Sequence, residues 1–326
     1  MKKVLFFAFF IFSGFISVFA QQPTPSNTPV SQRTPDPAAE TRRMIRQQEE
    51  TNRRFDALRN GGNRANNNLS RTLAIQNINN IYRKPTKNEI ELLAPNKEDL
   101  KKYAQFLRQS NTGLLKLIAD KGCAENTIIV NASEDCLKYS MPGAGSSFSF
   151  RTANYRIRRL SDLTYTDDSF QSSGILAHAI LVNVGDIPLE QISLQTKGLK
   201  FLTEFQTVTD FDKAKEIDRQ FIEGIEKDGF IYRRGLFAKE NTTYILRSIA
   251  YRGNYYRAID GFLYDELDFD KRKDITIAFR IIHRDEESVT IIWKQLAEKD
   301  APKVKRKNKE DSDVKENKFL AKTSDK

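Results

Sequence analysis

The 326-residue chain carries 53 Lys and Arg against 43 Asp and Glu, a formal net charge of +10, with 39% hydrophobic residues, two His and two Cys. So few His and Cys leave few ways to assemble a His-dependent nucleophilic set or a thiolate metal centre, and the sequence contains no GxSxG, HExxH or Walker loop. Nor does the basic excess indicate nucleic acid: residues 86–296 hold thirty Lys and Arg and thirty-one Asp and Glu, whereas a nucleic-acid-binding fold puts its positive stripe on the ordered surface.

Residues 1–20 begin with Lys2-Lys3, run apolar from Val4 to Val18 and present Val18-Phe19-Ala20 before Gln21. This is the pattern of a signal peptide cleaved after Ala20, so the chain is expected to be exported to a periplasm or the extracellular space, with no integral membrane segment after cleavage. An uncleaved anchor is the competing reading, but the apolar run sits at the short end of what spans about 30 Å of hydrocarbon and lacks a basic stop-transfer cluster. Residues 21–37 are rich in Pro and Thr and hold almost nothing to bury, which predicts a flexible linker. Asp36 and Pro37 then suit a helix start, and residues 38–60 read as a helix with a thin apolar stripe of Met44, Ile45, Phe55 and Leu58, solvent-exposed or partner-facing. Residues 61–85, with Gly61-Gly62 and Asn66-Asn67-Asn68, read as an Asn-rich linker.

From residue 86 to residue 296 the texture is that of an α+β domain. Thr86 and Glu89 have capping-box spacing for a short helix ending near Leu93. Asn96 opens a longer predicted helix, near 97–120, in which Leu100, Tyr103, Leu107, Leu114 and Ile118 recur at three- and four-residue spacing. Cys123 and Cys136 are expected to form one disulfide, worth about 3 kcal/mol on the chain-entropy estimate; their spacing is not that of a redox or zinc motif. Short apolar or alternating runs follow at 147–151, 155–160, 163–166, 174–183, 189–195 and 198–202, an antiparallel meander in which 174–183 is the central strand. A second amphipathic helix is expected near 211–227, with Ala214, Ile217, Phe221 and Ile225 on one face and Asp228-Gly229 as its C-terminal stop. The strands resume at 230–232 and 235–238.

Residues 242–296 pack three strand-like runs into about fifty-five residues. Ile275, Ile277, Phe279 and Ile281 alternate with Thr276, Ala278 and Arg280, and the polar Arg284–Glu287 connection makes 275–283 and 288–296 a hairpin. Trp293 is expected to be a buried anchor. Beyond residue 296 the charged, low-complexity segment 297–326 reads as a disordered tail. The predicted architecture is therefore a largely antiparallel β-sheet covered by two amphipathic helices, with a disordered N-terminal tether and C-terminal tail.

Residues of a type able to carry chemistry are few. His178 lies in the apolar run of the presumed central strand and reads as a hydrogen-bonded core residue. Asp265, Glu266, Asp268 and Asp270 lack the spacing of a calcium loop and are followed at once by Lys271-Arg272-Lys273, as in a solvated loop. Arg247 shares a strand face with Ile245, Ile249 and Tyr251, so it is expected to be buried against a carboxylate or ligand unless it reaches an edge. Arg247 with Tyr251, Tyr255 and Tyr256 form the candidate ligand-binding set, suited to stacking on a sugar or peptide; no cofactor and no metal site are expected. The expected role is a non-enzymatic exported binding or envelope-associated protein whose partner is a cell-envelope polymer or envelope protein. The rival expectation is a hydrolase of such a polymer, acting through a carboxylate pair at 265–270 or Asp167-Asp168.

Overall fold

The computed structural model describes residues 67–125, Cys136, 139–172 and 174–304. The segments read as signal peptide (1–20), linker (21–37) and helix (38–60), and the tail beyond residue 304, lie outside the described residues.

Fourteen strands are present among the described residues. In chain order they are β1 (Thr112–Ile118), β2 (Ser147–Ser149), β3 (Asn154–Tyr155), β4 (Leu163–Thr166), β5 (Ser169–Gln171), β6 (Ala177–Gly185) and β7 (Ile225–Lys227). They continue with β8 (Phe230–Arg233), β9 (Gly235–Phe237), β10 (Thr243–Ala250), β11 (Tyr256–Ile259), β12 (Phe262–Asp265), β13 (Lys273–Arg284) and β14 (Ser288–Asp300). The helices are α1 (Asn67–Tyr82), α2 (Lys87–Leu92), α3 (Lys97–Lys102), α4 (Ala104–Leu107), α5 (Lys200–Glu204) and α6 (Phe211–Glu223).

A seven-stranded antiparallel sheet in the order β1-β14-β13-β10-β6-β8-β7 forms the centre. The alternation expected at 275–281 sorts its side chains to two faces. Leu181, Tyr244, Leu246, Ile275, Ile277, Phe279, Ile291 and Trp293 meet Phe148, Phe150, Leu163, Tyr165 and Phe170 from a second, five-stranded sheet, β3-β2-β4-β5-β9. On the opposite face Ile180, Val182, Ile245, Ala278 and Ile292 pack with Leu199, Leu202 and Phe221 of the α5–α6 region. All eight residues of β10 are buried, as a strand covered on both faces requires. β6 lies between β10 and β8, so the expected central strand is interior.

The architecture is α+β with antiparallel sheets, and its cover differs from the expected pair of helices. Only α6 matches the prediction, with Ala214 and Phe221 buried and Ile217 packed beside them. The helix expected over 97–120 is broken: α3 and α4 are short, Asn111 takes a positive φ of 57°, and Leu114, Leu115, Leu117 and Ile118 belong to edge strand β1. The five-stranded sheet takes over the second face. Run 198–202, expected as a strand, is largely α5.

Two further boundaries move. Asp228-Gly229 does not stop α6, which Gly224 caps; it forms the two-residue turn between β7 and β8, with φ of 53° and 77°. The Asn-rich segment is not a linker throughout. Residues 67–82 are helix α1, whose buried Ala74, Ile78, Ile81 and Tyr82 recur at helical spacing, and Ile78, Ile81 and Tyr82 share a small core with Ile157, Leu160, Tyr264 and Leu267. At the other end β14 runs to Asp300, and Arg252 bridges to Lys303, so the tail begins later than residue 297.

The outer edge of β1 is occupied where it meets the small sheet: the Tyr155 hydroxyl donates to the Lys116 carbonyl at 2.7 Å, and the Asp120 N–H donates to the Tyr165 carbonyl at 3.0 Å. Cys123 and Cys136 are joined by a disulfide. Among the described residues no helix is long and apolar enough to cross a membrane.

Candidate functional site

Arg247 occupies the middle of β10 on the helix-covered face and is only 4% exposed. A buried guanidinium needs its charge and its donors matched. Asp274, the second residue of β13, supplies the charge in bidentate form: Nε donates to Oδ1 at 3.0 Å and Nη2 to Oδ2 at 2.7 Å. Nη1 donates to the carbonyls of Leu202 at 2.5 Å and Phe205 at 2.8 Å, fixing the C-terminal end of α5 to the sheet. The guanidinium also lies 5.9 Å from the centre of the Phe205 ring, within cation–π range. Of the two matches expected for a buried Arg247, a carboxylate or a ligand, the carboxylate is present, and its sequence signal is the single acid directly in front of the apolar run of β13.

This pair forms part of a groove of about 170 Å³ lined also by Thr203, Phe205, Gln206 and Thr207 from the α5–α6 connection and by Lys299, Asp300 and Pro302 at the end of β14. Apart from Phe205 and Pro302, the side chains offer hydroxyl, amide or charged groups. Its size is below the roughly 300–1,000 Å³ of sites that engulf a drug-sized ligand, and suits one unit of a chain or one side chain.

Tyr251 lies four residues beyond Arg247 on the same face, yet it is 1% exposed and presents no ring to solvent. Its hydroxyl meets His178 Nδ1 at 3.0 Å, while His178 Nε2 lies 2.8 Å from the Ala214 carbonyl. A carbonyl can only accept, so Nε2 carries the proton and Nδ1 accepts from the tyrosine. Burial pushes the Tyr251 pKa up to about 12 and lowers that of His178. His178 is thus the satisfied core residue expected of it.

Tyr255 and Tyr256 sit apart from this cluster. Tyr255 packs half-buried against the small core of Tyr264 and Leu267, and Tyr256, half-buried on β11, accepts from Asn254 Nδ2 at 2.9 Å. The fold therefore brings Arg247 and Tyr251 together under the α5–α6 connection and leaves the other two tyrosines elsewhere.

The acids at 265–270 are not a solvated loop. Asp270 Oδ2 accepts from Arg151 Nη1 at 2.5 Å and Arg272 Nη1 at 2.6 Å, and Arg151 Nε donates to Asp162 Oδ1 at 2.8 Å. The Asp162 and Asp270 side chains are fully buried. Burial works against the Arg151 charge, but the two carboxylates outweigh it and hold its pKa above the usual arginine value. Glu266 is buried under Tyr82 and Arg159, each 2.5 Å from Oε1; burial and the Glu266 charge keep the Tyr82 hydroxyl protonated far above the usual range. Asp265 accepts from the Tyr255 and Leu267 N–H groups. Asp167 sits in the β4–β5 turn with positive φ, and the exposed Asp168 pairs with Arg284. Asp168, Glu266 and Asp270 thus hold arginines and Asp265 holds backbone, while Asp167 and Asp268 are exposed.

A second concavity of about 290 Å³ lies beside the disulfide, lined by Asn80, Arg83, Cys123, Cys136, Tyr139 and Pro142 among others. Arg83 is engaged there by both oxygens of Glu89, at 2.7 and 2.6 Å.

Searches against protein-family models, curated proteins and solved structures found no match for this chain.

Proposed function

We propose that this chain is an exported, non-enzymatic binding protein of the cell envelope, and that it holds a polar envelope polymer one unit at a time in the groove at Arg247. One observation carries the reading: a buried guanidinium–carboxylate pair, fixed by four hydrogen bonds, lies in an open groove ringed by the hydroxyls of Thr203 and Thr207 and the amide of Gln206. Groups held this rigidly lose little freedom when a hydroxyl-rich unit docks, which is the condition for useful affinity at a small site. The Cys123–Cys136 bond fits an oxidising compartment. Binding is preferred to hydrolysis because Asp270, Glu266 and Asp168 are engaged with arginines and Asp265 with backbone N–H groups.

Co-sedimentation with insoluble envelope polymer tests the proposal. The full exported chain should pellet with the polymer, and Thr203→Ala combined with Gln206→Ala, both at exposed groove positions, should leave it in the supernatant without altering its melting temperature. Equal pelleting of the two proteins, or release of soluble fragments from the polymer, overturns the reading.

A further inference from the structure

The charges that line the groove do not all cancel. Asp274 gives both of its oxygens to Arg247, at 3.0 and 2.7 Å, so this pair is neutral as a unit. The Asp300 carboxylate accepts from Lys273, its cross-strand neighbour, at 2.9 Å. Lys299 stands directly across from Asp274 in the β13–β14 register, so both side chains belong to the helix-covered face, with Cβ atoms about 5 Å apart. Asp274 is already committed to Arg247. Lys299 is therefore left exposed in the groove with no ion pair among the described residues. Glu204, at the end of α5, is not among the lining residues.

Arg247 also has a donor to spare. A guanidinium carries five N–H groups; four are given to Asp274, Leu202 and Phe205, and the second N–H of Nη2 has no partner among the described residues. The groove thus sets a spare guanidinium N–H beside an unpaired ammonium, and Thr203, Gln206 and Thr207 add neutral donors. Donors of this kind match the oxygens of an anion.

The positive character continues where the chain leaves the groove. The Pro302 carbonyl accepts from the Arg252 N–H at 2.8 Å, and Arg252 and Lys303 lie side by side in a β-bridge. Both are exposed, and neither is in an ion pair among the described residues. The sequence beyond, Lys305-Arg306-Lys307-Asn308-Lys309, adds four bases before the next acid, Glu310. The near-balance of acids and bases over 86–296 conceals this local excess.

We infer that the groove selects an anionic polysaccharide: the carboxylate or phosphate oxygens of one unit lie between Lys299 and the spare Arg247 N–H, and the following units cross the Arg252–Lys303 border. This names the polymer class for the binding reading above and rests on that reading. Exposed ion pairs are individually weak and are screened by salt, so selection comes from several of them along the polymer.

Titration calorimetry of the full exported chain with soluble polygalacturonate, phosphorylated dextran and neutral dextran tests it, the first two separating carboxylate from phosphate. At about 0.1 M salt at least one anionic polymer should bind about tenfold or more tighter than dextran, and the advantage should vanish near 1 M salt, where the screening length is about 3 Å. Lys299→Gln should weaken binding of that polymer by about two- to fivefold at unchanged melting temperature. Lys299→Arg should restore it, and Lys239→Gln, an exposed lysine in the β9–β10 connection, should have no effect. Affinity no greater for the anionic polymers than for dextran overturns the assignment. So does an unaltered affinity in Lys299→Gln, or an equal loss in Lys239→Gln, since either would place the attraction in the overall charge of the chain. Co-sedimentation with envelope polymer decides the binding reading separately.

Discussion

Replacing Asp270 by Asn removes one charge from the interior while keeping the side chain's shape. In the native protein its Oδ2 serves two guanidiniums, those of Arg151 and Arg272, with the Asp270 side chain wholly buried. Taking one member from a buried ion pair costs about 3–5 kcal/mol, because the partner's charge is left unmatched in a medium that solvates it poorly. Arg151 keeps Asp162. Arg272 keeps the carbonyls of Ile175, Leu176 and Tyr251 but no carboxylate. One cation is therefore stranded rather than two, and the expected loss is near the lower end, about 3 kcal/mol. Against a domain stability of about 5–15 kcal/mol this is a large fraction. With a urea m-value near 2 kcal/mol/M, the midpoint should fall by about 1.5 M at unchanged slope. Asp268→Asn, two residues away and exposed, should stay within about 0.5 kcal/mol of the parent. Asp270→Asn within about 1 kcal/mol of wild type would refute the reasoning, since it would mean that the cluster is effectively hydrated.

Two other perturbations are read from geometry. Reducing Cys123–Cys136, which closes a separation of 13 residues, should lower stability by about 3 kcal/mol in denaturant titration; no change on reduction, or an intact mass showing free thiols, contradicts the role assigned to it. Gly113→Ala places a methyl 2.5 Å from Trp293 Nε1, so β1 and the indole must part, at about 1–3 kcal/mol. The chain's single tryptophan makes this visible as a changed emission spectrum together with a lower melting temperature, and an unaltered spectrum would be the adverse result.

The parts of the fold legible in the sequence are those where local pattern and tertiary position agree. The alternation in β13, the unbroken apolar run of β6 and the Ala214–Phe221 stripe of α6 each describe an element whose burial follows from its own period. Elsewhere a local pattern admitted two answers. Leu114, Leu115, Leu117 and Ile118 continue a helical spacing begun at Leu100, but Ser110–Gly113 breaks the chain, and a strand with inward residues on both faces places the same leucines as well as a helix. The Asn-rich surface of α1 hid an inner stripe of four residues.

The ion clusters were illegible for a different reason. Glu266 and Asp270 look solvated beside three cations in sequence, whereas the arginines that bury them, Arg159 and Arg151, come from more than a hundred residues away. At Arg247 the sequence showed the anomaly, a charge on an aliphatic face. It did not show the groove, whose walls come from a turn after α5 and from the end of the last strand.

The covered edge of β1 bears on how the molecule assembles. Thr112–Ile118 is a short, leucine-rich segment with a single lysine, the kind of strand that recruits copies of itself when its backbone is open. In the folded protein that growth is blocked by a phenol from the small sheet on the Lys116 carbonyl and by the Tyr165 carbonyl on the next turn of chain; the opposite border, β7, is only three residues long. The stopper belongs to a different sheet from the edge that it closes, so the border of β1 is protected only while the small sheet stays docked on the large one.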